Sequence, residues 1–376
     1  MNEAYLNTNK LNRFISIISI ILLFLVSFIT FYFGYRDNQV FYIFKFLLYL
    51  FLSFIISIIA HETGHLIFGL LCGYKFISYQ ILFLKLEKTN NRFKFKFVNP
   101  IILGQCLLSY DKDERLMNYK MYLYGGSTIN LLLFVGSLSS FLLELFVYDK
   151  FYLFYLTFAY INIYLFFSNG IPLNIKNVYN DALNIKLMNR YPFMRKAIFN
   201  QLKMQEQMNI IQNINDFDDD IFKNSNKPIP YKVSIGYPFI LLRTMKRVLN
   251  NESDPFSEIK EVDNYINYYP YIYRNTNYAL LLFSNLITNK EYKWIINLKE
   301  NQKLFNKSNK NDPILSVDQD LIKYNEQTLT KEQILINIEN YRKSMNENLF
   351  YKVEIDFNNK LLDITVEYLE NKENIL

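Results

Sequence analysis

The apolar residues of this chain are concentrated in long runs before about residue 170, whereas the remainder is polar and rich in Asn, Lys and Tyr. Hydrophobic residues make up 51% of the 376-residue sequence, which is a high share for a soluble protein. A helix needs roughly 20 apolar residues to cross a bilayer core of about 30 Å, and the runs are close to or above that length. The sequence therefore predicts an α-helical membrane part followed by a soluble part.

Four membrane-spanning helices are predicted from these runs. They cover about Phe14–Tyr35, Val40–Cys72, Met121–Tyr148 and Phe151–Phe167. The segment between the second and third runs, residues 74–120, carries nine Lys or Arg, whereas the other two connections carry one each. Because basic loops stay in the cytoplasm, we expect a multi-pass protein of the cytoplasmic membrane with both termini on the cytoplasmic side.

The basic segment between the second and third runs has the pattern of β-strands. Arg92–Phe97 alternates Phe with Lys or Arg, Phe76–Glu87 is partly β-branched or aromatic, and Thr89-Asn90-Asn91 is a turn signal. We expect a β-hairpin over about residues 75–100 that lies in the membrane interface, with Phe on one face and cations on the other. Two roles are open for it: an interfacial anchor, or an edge strand that pairs with an extended substrate.

The C-terminal half is predicted to be a cytoplasmic, mainly α-helical soluble domain. Its clearest helix signal begins at Lys331, and Thr330 with Gln333 predicts a capping box there. No catalytic pattern occurs in this half of the sequence. The predicted domain boundaries are 1–39 for the N-terminal tail and first helix, 40–185 for a core of three helices and the hairpin, and 186–376 for the soluble domain.

The only two histidines of the chain, His61 and His65, lie four residues apart in the second run, and Glu62 directly follows the first. On a helix these positions share one face, so both imidazoles can bind one zinc ion and the glutamate can deprotonate a water molecule beside it. Ionisable residues inside a membrane span are costly and mark functional sites by default. The pattern predicts a zinc site with Glu62 as the catalytic base.

A zinc site needs a third protein ligand, and no histidine remains to supply it. Cys72 and Cys106 do not have a metal-ligand spacing, and they predict no disulfide framework. Asp181 is favoured, because it follows the fourth run after a Gly-Ile-Pro break that can fold the chain back towards the histidines. The carboxylate candidates near the membrane are Asp111, Asp113, Glu114, Glu144, Asp149 and Asp181.

Taken together, these motifs resemble the site-2 protease family of intramembrane zinc metallopeptidases. The run His61-Glu62-Thr63-Gly64-His65 matches the helix motif of that family, and residues 125–130, Gly-Gly-Ser-Thr-Ile-Asn, resemble its small-residue and asparagine motif. Residues 169–172, Asn-Gly-Ile-Pro, followed by Asp181, are similar to its Asn-x-x-Pro segment and aspartate ligand. The chain departs from the family in having Ala182 after the aspartate and a longer Pro-to-Asp spacing. The resemblance covers about residues 40–185.

The resemblance implies hydrolysis of a peptide bond in a membrane-associated protein or peptide precursor, at or within the bilayer. It is nearest to divergent bacterial members found with peptide maturation and export systems, which implies a peptide exporter as a partner. The implied site residues are His61, His65 and Asp181 for Zn²⁺, Glu62 for catalysis, and Gly126, Asn130 and Asn169 for substrate binding.

Two other classes of protein also fit the sequence. One is a membrane zinc peptidase resembling the CAAX-processing type, in which Glu144 would be the third ligand. The other is a non-enzymatic membrane accessory protein of a peptide export or immunity system. Nucleic acid is not expected as a partner, because the net charge is only +6 and the soluble part has no basic sheet interleaved with aromatic residues.

Overall fold

The computed structural model describes residues 8–36, 42–89, 92–98, 103–147, 151–222, 234–288, 290, 295, 313–345 and 351–373. Within these residues the chain is mostly helical and contains a small antiparallel sheet. It divides into two compact units, Met1–Lys203 and Met204–Leu376. The boundaries predicted at residues 39/40 and 185/186 stay predictions.

Four long helices dominate the first unit: α1 (Asn9–Arg36), α2 (Tyr42–Leu71), α3 (Tyr119–Val147) and α4 (Tyr152–Gly170). Within the described residues, three candidate membrane spans occur, Lys10–Phe28, Ile43–Leu71 and Glu114–Glu144, where the sequence predicts four. The predicted fourth span falls on α4. This helix, whose 19 residues include four tyrosines and two asparagines, is not among the three candidate spans.

Helix α4 packs against α1, α2 and α3. Leu156 of α4 forms a buried cluster with Val26 of α1 and Phe141 of α3. The outer faces of α1 and α2 are apolar and exposed, as shown by Phe24 at 73% and Phe44 at 70% exposure. Helices that are hydrophobic all round are typical of membrane spans, so these faces have the character needed for contact with lipid.

Helices α2 and α3 cross in direct backbone contact at Gly64 and Gly125. A Cβ atom built on Gly125 would lie only 2.5 Å from the carbonyl oxygen of Gly64 and 3.0 Å from the Cβ of Phe68. A Cβ on Gly64 would meet the carbonyl of Gly125 in the same way. Glycine at both positions therefore lets these helices approach more closely than any residue with a Cβ atom would allow.

Between α2 and α3 the chain forms an antiparallel sheet of four strands: β1 (Lys75–Ile81), β2 (Leu84–Thr89), β3 (Arg92–Phe97) and β4 (Gly104–Ser109). Their order in the sheet is β3-β2-β1-β4. The predicted hairpin corresponds to β2 and β3, in which Glu87 lies opposite Lys94; residues 90–91 of its predicted turn lie outside the described residues. The predicted single strand Phe76–Glu87 is wrong, because a turn at Leu82, with φ 52°, divides it into β1 and β2.

A second, smaller hairpin follows α4. Its strands are β5 (Asn174–Ile175) and β6 (Val178–Tyr179), and they lead into α5 (Asp181–Arg190) and α6 (Pro192–Ile210). Lys176 and Asn177 connect the strands with φ values of 51° and 68°, which is the backbone of a two-residue type I′ turn. The side-chain amide of Asn12 at the start of α1 donates to the carbonyl of Asn174 at 2.7 Å, so the first helix supports this hairpin.

The second unit is helical in its described part. Its core contains the fully buried side chains of Tyr237, Tyr269, Phe283 and Phe357. The capping box predicted at Thr330 and Gln333 is present and begins the helix Lys331–Ser344. The helices are α7 (Asp219–Phe222), α8 (Tyr237–Leu249), α9 (Ser257–Asp263), α10 (Tyr271–Ile287), α11 (Pro313–Asn325), α12 (Lys331–Ser344) and α13 (Lys352–Glu373).

The crossing of α2 and α3 predicts opposite effects for two glycine-to-alanine substitutions. Gly64→Ala should lower the free energy of unfolding by about 1–3 kcal/mol, because the added methyl group forces the helices apart. Gly136→Ala on α3 is the matched control, since a Cβ there meets nothing within 4 Å. It should leave stability unchanged or raise it by up to about 1 kcal/mol through helix propensity. Thermal unfolding in detergent measures both, and equal effects would contradict the close crossing.

Candidate metal centre

Three potential metal ligands converge in the first unit. The Nε2 atoms of His61 and His65 lie 3.2 Å apart. One carboxylate oxygen of Asp181 lies 3.5 Å from Nε2 of His61 and 3.3 Å from Nε2 of His65. Within the described residues, this is the only group of three or more His, Cys, Asp or Glu side chains placed to hold a metal ion.

The spacing of these three atoms fits a small tetrahedral cation. Ligand bonds of about 2.0–2.1 Å in a tetrahedron separate the ligand atoms by about 3.3–3.4 Å. The three separations, 3.2, 3.3 and 3.5 Å, agree with that geometry. The spacing of the three ligand atoms is therefore compatible with a bound metal ion.

Hydrogen bonds at Nδ1 fix the orientation of both imidazole rings. Nδ1 of His61 lies 2.5 Å from Oδ1 of Asn130, and Nδ1 of His65 lies 2.9 Å from the backbone carbonyl oxygen of Tyr122. Both partners are acceptors, so each ring carries its proton on Nδ1 and donates it. In the neutral rings, the Nε2 lone pairs then point at the shared centre, as metal ligation requires.

The hydrogen bond between His61 and Asn130 begins a buried chain of hydrogen-bonded polar side chains. The amide of Asn130 donates to Oδ1 of Asn162 at 2.8 Å, and the amide of Asn162 donates to Oγ of Ser57 at 2.9 Å. The side chains of Ser57, Asn130 and Asn162 have no solvent exposure. Because an unpaired polar group is costly in such surroundings, this chain stabilises one orientation of Asn130 and thereby of His61.

Asp181 reaches the histidines because Asn180 fixes the start of α5. The side-chain oxygen of Asn180 accepts from the backbone N–H of Leu183 at 2.9 Å, which caps the helix, and from Leu173 at 3.0 Å. Its amide donates to the carbonyls of Ser168 and Ile171, each at 2.6 Å. The hydrogen bonds of Asn180 thus connect the end of α4 to the first turn of α5, where Asp181 lies.

Asp181 is an anion at neutral pH. Burial by itself would raise the pKa of its carboxyl group. When the imidazoles also carry protons on Nε2, the charge of His65 and the hydrogen bonds of His61 and His65 hold this pKa well below its usual value. A charged oxygen and two imidazole nitrogens form a donor set that suits a divalent transition-metal ion.

Gly126 leaves the space that an ion would need. A Cβ atom built on Gly126 would lie 2.6 Å from Nε2 of His61 and 2.7 Å from Nε2 of His65. Any larger residue at this position of α3 would occupy the region between the two ligand atoms. The residues present therefore fit a bound metal in both donor chemistry and free space.

Glu62 lies beside this centre, in contact with strand β4. Its side chain is 8% exposed, and its carboxylate accepts a hydrogen bond from the backbone N–H of Cys106. A Cβ built on Gly104 would lie 2.7 Å from Oε1 of Glu62. The edge strand of the sheet therefore holds the carboxylate that the sequence predicts as the catalytic base.

The remaining predicted residues are not among the three potential ligands. Glu144 is on α3 roughly 20 Å beyond Asn130, at about 1.5 Å per residue. The amide of Asn169 bonds within α4, to the carbonyl of Leu165 and to Ser168, and its role in substrate binding stays a prediction. Asp111 forms an ion pair with Lys75. Asp113 caps a short 3-10 turn that contains Glu114. Asp149 lies outside the described residues. Both cysteines are free thiols.

Four residues of the site were not predicted in these roles: Ser57, Tyr122, Asn162 and Asn180. Ser57 lies four residues before His61 on α2, and Asn162 is a polar residue inside an apolar run, so helical spacing and polarity could have indicated both. Asn180 directly precedes a helix, as a capping residue should. Tyr122 gave no signal, because its backbone carbonyl makes the contact with His65.

Comparison with models of known families, with curated proteins and with solved structures found no match. The assignment of function therefore depends on the geometry of this site and on the sequence motifs.

The hydrogen bond between Asn130 and His61 predicts a loss of metal affinity when it is removed. Asn130→Ala should weaken the binding of Zn²⁺ by about 10–100-fold, because the ring loses the partner that fixes its orientation. Competition with a chelator of known affinity measures this in purified protein. Asn169→Ala is the matched control, since its bonds stay within α4 and the affinity should not change. Equal affinities for the two variants would contradict the role of Asn130.

Proposed function

We propose that this chain is an intramembrane zinc metalloprotease of the site-2 protease type, which hydrolyses a peptide bond of a membrane-associated protein or peptide precursor. The observation that carries the proposal is the convergence of His61, His65 and Asp181 beside Glu62. These are the residue types and the relative positions that metal-assisted peptide hydrolysis requires.

Zinc is the metal we propose, because two imidazoles and one carboxylate are a usual ligand set of catalytic zinc sites. Zinc held by these three residues would polarise the substrate carbonyl and activate a water molecule for attack. The binding energy comes from His61, His65 and Asp181, and Asn130 and Tyr122 orient the two rings.

Glu62 is the proposed general base and acid. As a carboxylate it takes a proton from the attacking water, and it then delivers that proton to the nitrogen of the leaving amine. The backbone N–H of Cys106 occupies one acceptor position of this carboxylate and leaves others for the water. Burial of the site excludes bulk water, which strengthens each of these interactions.

The site would lie inside the membrane, near its cytoplasmic surface. His61 and His65 belong to the later half of the candidate span Ile43–Leu71, and the basic segment that follows would stay in the cytoplasm. We propose α4 as the fourth crossing, because its 19 residues span about 28 Å at about 1.5 Å per residue. Both termini would then be cytoplasmic, and the protein would belong to the cell membrane.

The substrate would be an extended or unwound segment, because an intact helix hides its carbonyl groups. A membrane-associated precursor could reach the site laterally from the bilayer. A peptide exporter is the partner class that the sequence resemblance suggests for the second unit.

Ligand substitutions predict which carboxylate holds zinc. The wild-type protein purified in detergent should contain about one Zn²⁺ per chain, and Asp181→Asn should lose most of it, because the amide carries no charge. Glu144→Gln should keep its zinc, since Glu144 lies far along α3 from the histidines. Metal analysis by mass spectrometry measures all three proteins. Loss of zinc only in Glu144→Gln would favour the CAAX-type alternative, and a wild type without zinc would favour a non-enzymatic protein.

Substitution of the base predicts loss of cleavage with retention of the metal. Glu62→Gln should bind zinc normally but abolish proteolysis, since the amide cannot accept the proton. The measurement is a comparison of new N-termini in membranes from cells that produce the wild type or Glu62→Gln at equal levels. Peptide bonds cut only with the wild type support the proposal. Identical sets of N-termini would overturn it.

A further inference from the structure

Tyr122 is connected by hydrogen bonds to both parts of the proposed catalytic centre, directly to His65 and through Cys106 to Glu62. We infer that it is a positioning residue that fixes the metal ligand His65 through its backbone and the base Glu62 through its hydroxyl group. Nothing in the sequence motif indicates this role. The first contact is the hydrogen bond from Nδ1 of His65 to the carbonyl oxygen of Tyr122, at 2.9 Å.

The second contact passes through strand β4. The hydroxyl group of Tyr122 donates to the carbonyl oxygen of Cys106 at 2.8 Å. The N–H of the same Cys106 donates to the carboxylate of Glu62. Tyr122, Cys106 and Glu62 are each at most 8% exposed, so water does not replace these bonds. One residue of β4 therefore connects the phenol of Tyr122 to the base.

At Cys106, the backbone groups on the outer edge of β4 already have hydrogen-bond partners outside the sheet. Cys106 faces Tyr79 of β1, yet both of its backbone groups bond away from β1, to Glu62 and to Tyr122. In an antiparallel ladder such a residue belongs to a non-hydrogen-bonded pair. The N–H that could otherwise pair with a neighbouring strand donates instead to the carboxylate of Glu62, and the carbonyl accepts from Tyr122.

The hydroxyl group of Tyr122 can be removed without unfolding the sheet. Strand β1 is tied to α2 separately, because the hydroxyl of Tyr79 donates to the carbonyl of Ile59 at 2.8 Å. Leu108 of β4 is fully buried and fills the space left by Gly69 of α2. Tyr122→Phe also keeps the backbone carbonyl that accepts from His65. The substitution therefore releases only the connection to Cys106.

Thiol labelling tests the connection in the absence of substrate. In a Cys72→Ser background, Cys106 is the only thiol, and it is 5% exposed. Tyr122→Phe should increase its rate of reaction with N-ethylmaleimide by about tenfold, because β4 opens more often when a buried carbonyl loses its donor. Tyr74→Phe is the matched control: this ring lies 4.9 Å from that of Tyr122, and its buried hydroxyl makes no hydrogen bond in the described part of the chain. Its labelling rate should not change.

The effect on the base rests on the proposed function and has its own readouts. With a fluorogenic peptide that spans a bond cut in membranes, Tyr122→Phe should lower kcat by about tenfold and leave KM within about twofold. In the Co²⁺-substituted protein its visible spectrum should match that of the wild type, because the bond to His65 is retained. A parallel fall in kcat and change in spectrum would mean that the metal ligand has moved instead, which would overturn the assigned route.

The outcomes separate this inference from the proposed function. Equal labelling rates in Tyr122→Phe and Tyr74→Phe overturn the inference, whether or not the protein is a protease. Faster labelling in Tyr122→Phe with unchanged kcat shows that the strand is held but that the base does not depend on it, which also overturns the role of Tyr122. Faster labelling with no cleavage by the wild type keeps the structural connection and removes the proposed function.

Discussion

The backbone contact between Gly64 and Gly125 determines where every other part of the centre can lie. Because neither residue has a Cβ, α2 and α3 approach closely at the turn that carries the two histidines. Three residues of α3 then face the imidazoles at intervals of four: Tyr122, Gly126 and Asn130. The first and third accept from the rings, and the second leaves the space between the ligand atoms.

Polar groups inside apolar helices constrain the rest of the centre. A polar group without a partner in such surroundings costs several kcal/mol, so pairing within the protein is strongly favoured. The chain from His61 through Asn130 and Asn162 to Ser57 meets this requirement with side chains from three helices. It explains why α4 packs at the centre: this helix supplies Asn162, the asparagine that links Asn130 to Ser57.

The residues of the site that depend on local spacing could be predicted from the sequence. His61, Glu62 and His65 follow from one helical turn, and Asp181 follows from the break after α4 together with the need for a third ligand. Strand β4 could not be predicted, because Gly104–Ser109 has no alternation of apolar and polar residues. The role of Tyr122 was also hidden, since it depends on a backbone carbonyl and on a hydroxyl group that bonds to a strand distant in sequence.

The departures from the site-2 protease pattern have a local explanation in the path between Pro172 and Asp181. The additional residues form the β5–β6 hairpin, which returns the chain to the end of α4, where Asn180 bonds to both segments. Asn180 has extended backbone angles, φ −76° and ψ 174°, and Asp181 begins a regular helix. The next residue therefore has helical angles that suit any L-residue, so Ala182 can replace a glycine there. Its small side chain is 1% exposed, which fits the tight junction of α5 with the membrane helices.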